Sequence, residues 1–214
     1  MRGLLTLGIA VLMALPVVAQ PRGGFGPMGP GQLLMNKSVQ EALKLDKEQV
    51  EKITAAVQKV REDMKDDIAK LREQDTSREQ RMEIAKKVND ATTKALADIV
   101  KPEQMKRLKQ IRLQAEGTRV FMDPEVQKAL SLTDDQKEDI RKTNEESFAK
   151  IREMFQDAQG DQEKMREIRT KMTAMNKENM AKITKSLKSE QQEKLKEMLG
   201  KPFEIKFEQR RPNS

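Results

Sequence analysis

The chain carries the same stretch of sequence twice, and that duplication constrains its fold more than any other feature. Leu34–Ile53 (LMNKSVQEALKLDKEQVEKI) falls on Phe121–Ile140 (FMDPEVQKALSLTDDQKEDI) at an offset of 87 residues, with nine of the twenty positions identical. The same offset carries Val100–Ile111 (VKPEQMKRLKQI) onto Leu187–Met198 (LKSEQQEKLKEM). Solenoid repeats run roughly 20–50 residues, so a longer unit is a small domain present twice. Two copies of one module suggest binding rather than catalysis.

The start of the chain reads as a targeting segment. Arg2 is a minimal positive region, Leu4–Leu15 is apolar, and Pro16 breaks the run before Val17-Val18-Ala19. This pattern predicts a secretory signal peptide over residues 1–19, cleaved after Ala19. The apolar run falls short of the ~20 residues a spanning helix needs, so no stable membrane span is expected after cleavage; an uncleaved N-terminal anchor is the rival reading. No Cys follows, which removes a lipid-modified terminus. Export to the periplasm, or another exported location, is the expectation. Residues 20–33 then form a predicted linker, in which Pro21–Gln32 (PRGGFGPMGPGQ) disfavours regular structure.

Composition narrows the function classes. The chain has no Cys, His, Trp or Tyr. Without Cys an exported protein has no disulfides, so helix packing alone must hold it. Without His it lacks the commonest general base and the commonest metal ligand. Six Phe and fourteen Met make for a thin, soft apolar interior. The formal charge of +7 becomes +6 once Arg2 leaves with the signal. Nucleic acid is not an expected partner, since this excess is modest and export argues against it.

Periodicity predicts an all-α fold of two tandem helical repeats, residues 34–116 and 121–199. Each opens with a short helix capped by Asn36 or Asp123, the second with Pro124 at its first position. Val39/Leu43 and Val126/Leu130 share a face one turn apart. A long helix follows Asp46, with Val50, Ile53, Val57, Val60, Met64, Ile68 and Leu71 at spacings of three and four. Its counterpart follows Thr133 with a weaker stripe of Ile140, Phe148, Ile151 and Phe155, and with Asn144 where a hydrophobe is expected. Glu73–Ser77 and Asp157–Asp161 read as hairpin turns. The third helices carry Met82, Ala85, Val88, Ala95 and Leu96, then Met165, Ile168, Met172, Met175 and Ile183. Fourth helices begin at Pro102 and Ser189. Acid-first pairs such as Glu48–Lys52, Asp66–Lys70 and Glu138–Lys142 support the solvated faces. The tail, residues 200–214, alternates Phe203, Ile205 and Phe207 with charge; it docks in a groove of its own chain or offers a strand-like peptide to a partner.

Four helices start with one formula. Leu45-Asp-Lys-Glu-Gln49, Val100-Lys-Pro-Glu-Gln104, Leu132-Thr-Asp-Asp-Gln136 and Leu187-Lys-Ser-Glu-Gln191 place an apolar residue before the cap and Gln at the third helical position. The physical content is a capping box, clearest at Thr133 and Gln136. As helix starts these residues are fully accounted for. The spelling, in an exported, helical, Met-rich and charge-rich chain, resembles the LTxxQ motif of the Spy/CpxP group of periplasmic proteins. The resemblance covers roughly Leu34–Leu199, and only Leu132–Gln136 has the full spelling. It implies helical hairpins that associate as cradle-shaped dimers, with ATP-independent chaperones and envelope-stress modulators among the members. In a doubled chain it also implies a homodimer or an intramolecular pseudo-dimer.

Three functions follow as expectations. One is a chaperone or envelope-stress adaptor that binds unfolded or partner proteins, with the basic residues Lys106, Arg107, Lys109 and Arg112 as the candidate contact surface. A second is a structural or assembly protein of the envelope with one specific partner. A third, metal-responsive role comes only from the resemblance and is disfavoured. Met165, Met172 and Met175 have the spacing of a core seam rather than of a thioether site. No cofactor, metal or catalytic residue is expected. The sequence has no nucleophile elbow and no phosphate loop, and neighbouring acids such as Asp134-Asp135 point to different sides of a helix.

Overall fold

The computed structural model describes residues 28–71, 73, 75–158 and 161–206. The expected signal peptide, most of the linker, Gly160 of the second hairpin turn and the tail from Phe207 onward lie outside the described residues. The fold is all-α. Helices α1 (Pro30–Leu34), α2 (Lys37–Ala42), α3 (Lys47–Asp63), α4 (Lys65–Lys70), α5 (Arg78–Leu96) and α6 (Pro102–Glu116) make up the first half. A 3₁₀ helix, Gly117–Met122, leads into α7 (Pro124–Ala129), α8 (Asp134–Ala158), α9 (Gln162–Ser186) and α10 (Ser189–Leu199). Among the described residues no strand occurs, and no helix is long and apolar enough to cross a membrane.

Local rules recur at the 87-residue offset. Asn36 and Asp123 cap α2 and α7 through their side chains. Both helices end in the same Schellman turn. Leu45 N–H reaches the Gln40 carbonyl and Leu132 N–H the Gln127 carbonyl, each at 3.0 Å. The residue at the turn has a left-handed backbone in both places, Lys44 at φ 52° and Ser131 at φ 50°. Gln40 and Gln127 also donate side-chain bonds to the Leu34 and Phe121 carbonyls, each at 2.8 Å.

The linker ends earlier than expected. Pro30 takes the first position of α1, where its missing N–H costs no bond, and Leu33 and Leu34 are fully buried. Gly31 lies so close to Val57 and Thr92 that a Cβ would stand 3.2–3.3 Å from their side chains. Glycine in this stretch thus serves close packing as well as looseness. Helix α1 sits where the 3₁₀ helix sits in the second half. Gly29 approaches Asn89 as Gly117 approaches Asn176, and Leu33-Leu34 match Val120-Phe121.

There are two hydrophobic cores. The first gathers Leu33, Leu34, Val39, Leu43, Ile53, Val57, Leu96, Val100, Leu108 and Ile111, and it also takes Ile205 from the far end of the chain. The second gathers Val120, Phe121, Val126, Leu130, Leu132, Ile140, Ile183, Leu187, Leu195 and Leu199, and it takes Leu113 from α6. Each half therefore lends apolar side chains to the other's core, with Phe203 packed against the first beside Ile205. Helices α6 and α10 pack together. At their contact, residues 87 apart touch: Gln110 Nε2 donates to the Glu197 carbonyl (3.3 Å) and Gln114 Nε2 to the Lys201 carbonyl (2.9 Å). Contact between equivalent positions is the signature of an approximate two-fold relation.

From these cores two hairpins project, α3–α4 against α5 and α8 against α9. At 1.5 Å per residue α8 is about 37 Å long. The stripes differ in detail from the sequence expectation. On α5 the inward line is Ile84, Val88, Thr92 and Leu96, leaving Met82 64% exposed and Ala95 exposed. On α8 Phe148 turns outward at 45% exposure, while Thr143 and Asn144 turn in. Helix α3 stops at Met64, whose φ of −114° and ψ of 20° offset it from α4. Of the expected acid-first pairs, Glu48–Lys52 closes to 2.6 Å and Glu138–Lys142 to 3.7 Å, whereas Lys70 turns to Asp67 at 3.4 Å.

The second hairpin carries a polar layer that the first lacks. Asn144, Ser147 and Asn179 occupy the places of Val57, Val60 and Thr92. Asn179 Nδ2 donates to Ser147 Oγ (2.6 Å), which donates to the Thr143 carbonyl (2.7 Å). Asn144 is only 4% exposed and its Nδ2 meets no acceptor. Replacing Asn144 by valine, the residue at the matching place in the first hairpin, is expected to stabilise the chain by about 1–2 kcal/mol, since it removes an unmet buried donor. A thermal melt should move up by about 2–6 °C.

Candidate functional site

The four motif glutamines meet in two pairs. Gln49 opens α3 and Gln104 opens α6, and their side-chain amides face each other reciprocally. Gln49 Nε2 donates to Gln104 Oε1 at 2.9 Å, and Gln104 Nε2 donates back to Gln49 Oε1 at 3.3 Å. Each oxygen also accepts the N–H of its own helix cap, Asp46 at 3.3 Å and Lys101 at 3.0 Å. The second proton of each amide goes to a carbonyl that no helix satisfies, Ile99 at 2.9 Å for Gln49 and Leu43 at 3.1 Å for Gln104. All four hydrogen-bonding positions of each amide are thus used.

The arrangement recurs at Gln136 and Gln191. Their reciprocal bonds are 2.9 and 3.0 Å, their caps Thr133 and Lys188 donate at 3.1 and 2.9 Å, and Gln191 reaches the Leu130 carbonyl at 3.1 Å. Gln136 lies 3.5 Å from the Ser186 carbonyl. Asp46 and Thr133 complete the capping boxes by accepting the Gln49 and Gln136 N–H groups, at 2.8 and 3.2 Å. A lysine side chain has no acceptor, so Lys101 and Lys188 receive only the glutamine half. The apolar residue before each cap enters a core: Val100, Leu132 and Leu187 are buried and Leu45 is half-buried. Capping was legible in the spelling. The pairing of one motif with the next was not, because it depends on a hairpin returning α6 to the start of α3.

The four candidate cations lie where the halves join. Arg107 is half-buried: it donates to the Lys201 carbonyl (2.8 Å) and stands 5.8 Å from the Phe203 ring centroid. Burial lowers the pKa of its guanidinium from the ordinary value. Arg112 pairs with Glu116 (3.2 Å) and approaches Asp123 (3.9 Å), and Lys109 lies 3.4 Å from Glu125. Lys106 is exposed. Three of the four thus bind elements of the chain itself. Glu116, with its side chain 9% exposed, has its pKa raised by burial, which outweighs the pull of Arg112 and Arg119, with Asp123 raising it further.

Apolar side chains stay exposed on both halves. Met35 and Met122, equivalent by the 87-residue offset, are both exposed beside α2 and α7, and Met82 and Phe148 project from the two hairpins. Met165, Met172 and Met175 are half-buried along α9. The surface depression lined by Gln162, Glu163, Arg166, Glu167 and Thr170 runs along one face of α9 alone. Compared with known proteins, the chain matches no family model, no curated protein and no solved structure.

Gln104→Ala removes the partner of Gln49 and strands the Leu43 carbonyl and the Lys101 N–H. A loss of about 2–4 kcal/mol is expected in urea denaturation, with Gln191→Ala similar. Gln49→Ala and Gln136→Ala, at less buried positions, should cost less. For Glu116 the folded pKa is raised, so its favourable contribution is full below the ordinary carboxylate range and is lost as pH rises through the raised value. Glu116→Gln should therefore lack the part of the stability–pH profile that falls as pH rises from the ordinary carboxylate range through the raised value, and above it should be at least as stable as the parent.

Proposed function

We propose that this protein is an exported, ATP-independent chaperone or envelope-stress adaptor that binds unfolded or partner proteins on its helical surface. The observation that supports this best is the repeated exposure of large apolar side chains, Met35 and Met122 at matching places and Met82 and Phe148 on the hairpins, within a densely charged surface. Methionine is unbranched and polarisable, so one such surface adapts to many apolar shapes. Two projecting hairpins on a braced base present these groups along extended faces rather than in a pocket. The resemblance of Leu132–Gln136 and its three cognate motifs to the Spy/CpxP group points the same way. It also supplies the periplasmic location, together with the signal-like residues 1–19. Lys106, with Lys109 beside it, offers positive charge that draws acidic segments of a client; Arg107 and Arg112 support that face from within.

A second reading, a structural or assembly protein with one envelope partner, draws on the joint between the halves, whose charges are committed to specific internal pairs. The two separate by client range. Residues 20–214, without nucleotide, are expected to suppress aggregation of two unrelated unfolding proteins at a few-fold molar excess. The double variant Met82→Ser with Phe148→Ser should lose at least half of that suppression while keeping its helical signal. Suppression that fades at high salt assigns the recognition to the cations, because screening shortens their reach from ~8–10 Å near physiological ionic strength to ~3 Å at 1 M. Failure with both clients, by a correctly folded sample, removes the chaperone reading and leaves the single-partner one.

A further inference from the structure

The tail leaves α10 through Gly200, at φ 64°, and crosses to the first half without helix or strand, its side chains alternating between cover and solvent from Pro202 to Lys206. Gly200 packs against the Gln110 side chain, leaving no room for a Cβ. Two side chains anchor the strap beyond it. Phe203 is half-buried under Arg107, and Ile205, at 2% exposure, completes the first core. Lys201, Pro202, Glu204 and Lys206 are exposed. Among the described residues, five hydrogen bonds from the first half address the main chain of this segment. Arg107 and Gln114 donate to the Lys201 carbonyl (2.8 and 2.9 Å), and Gln114 Oε1 accepts Phe203 N–H (2.8 Å). Ser38 Oγ accepts Lys206 N–H (3.0 Å), and Asn36 Nδ2 donates to the Lys206 carbonyl (2.8 Å).

That is how an extended peptide is held in a receptor: main-chain bonds give affinity whatever the sequence, and alternate side chains fill apolar places. The second core takes Leu113 from a helix, whereas the first takes Ile205 from a short segment without helix or strand, so among the described residues it is the first half that is closed by such a strap. We infer that the groove formed by Asn36, Ser38, Arg107 and Gln114 is a peptide-binding site, occupied in cis by Phe203-Glu204-Ile205, and that it takes extended segments of unfolded client proteins with apolar residues two apart. This rests on the client-binding reading above and assigns it a site. Because the bonds ignore side chains, recognition needs only the apolar-x-apolar pattern, which unfolded chains present often. The tail is a tethered competitor at an effective concentration on the order of millimolar, so it sets a threshold that a client must exceed.

The test uses the chain 20–214 and a fluorescent peptide of sequence KPFEIK, read by anisotropy. Ile205→Asp should release the tail and bind the peptide at least tenfold more tightly than the parent. Adding Gln114→Ala should weaken that binding at least fivefold, and a KPFEDK peptide should not bind. A folded Ile205→Asp chain that binds no better than the parent overturns the inference. Should that variant lose its cooperative melt, Ser38→Cys with Lys206→Cys, in a chain otherwise free of Cys, permits the tail to be pinned with a short bis-maleimide. Pinning is expected to abolish the parent's residual peptide binding, and binding unaffected by it overturns the inference. A concentration-dependent dimer dissolved by pinning would assign the groove to a second copy's tail and overturn the client assignment. Aggregation assays on the same samples separate the two readings: peptide binding without suppression removes the chaperone and keeps the groove, whereas suppression without peptide binding does the reverse.

Discussion

The reciprocal glutamine amides hold the rest of the structure in place. Each pair ties the start of the long second helix to the start of the fourth, and each amide spends its remaining capacity on a helix cap and on a carbonyl left over where the chain turns. The Leu43 and Leu130 carbonyls among them are reached by buried bonds, and a buried backbone group without a partner costs about 1–3 kcal/mol. One pair therefore satisfies main-chain groups at four separate helix ends. A thin core of aliphatic side chains, with few aromatics, cannot fix the angle between helices by shape alone. Hydrogen bonds with direction do that, and they do it identically in both halves.

The second constraint is the exchange across the joint. Leu113 enters the second core from helix α6 and Ile205 enters the first from the segment after α10. The approximate two-fold relation is close enough for Gln110 and Gln114 to touch the residues 87 positions beyond them. It is broken after the fourth helix of each half: the first half runs straight through a 3₁₀ helix into the second, and the second turns back at Gly200. The candidate cations are concentrated at this joint, which explains why Arg107 and Arg112 face inward. Their charges hold elements that shape alone would leave loose.

Much of this was legible in the residues. The helix starts, the two hairpins and the burial of Val39, Leu43, Val126 and Leu130 follow from capping spellings and three-to-four spacing. Asn144 announced itself as a polar intruder before the structure showed its unmet donor. Other features depend on tertiary neighbours and were not legible. The seam of α5 runs through Ile84 and Thr92 rather than Met82, because a two-helix hairpin buries only a narrow line and the rotation of that line is set by the partner. Helix α1 lay hidden in a Gly/Pro-rich stretch, since Gly31 is read as looseness until Val57 and Thr92 are seen against it. The function of the four glutamines was half visible: each box could be read alone, but not the meeting of two boxes some 55 residues apart.

The position of Ile205 has a consequence for how the molecule comes into being. A chain is synthesised from its N-terminus. The first half can form its helices and its glutamine pair as soon as α6 has emerged, yet its core stays open at one side until Ile205 has followed. The bond between Asn36 and Lys206 spans 170 residues. Closure so late and so non-local is slow compared with helix formation. During that interval the apolar face that Ile205 will cover stays open to solvent, so folding of the first half ends with the loss of an exposed apolar surface.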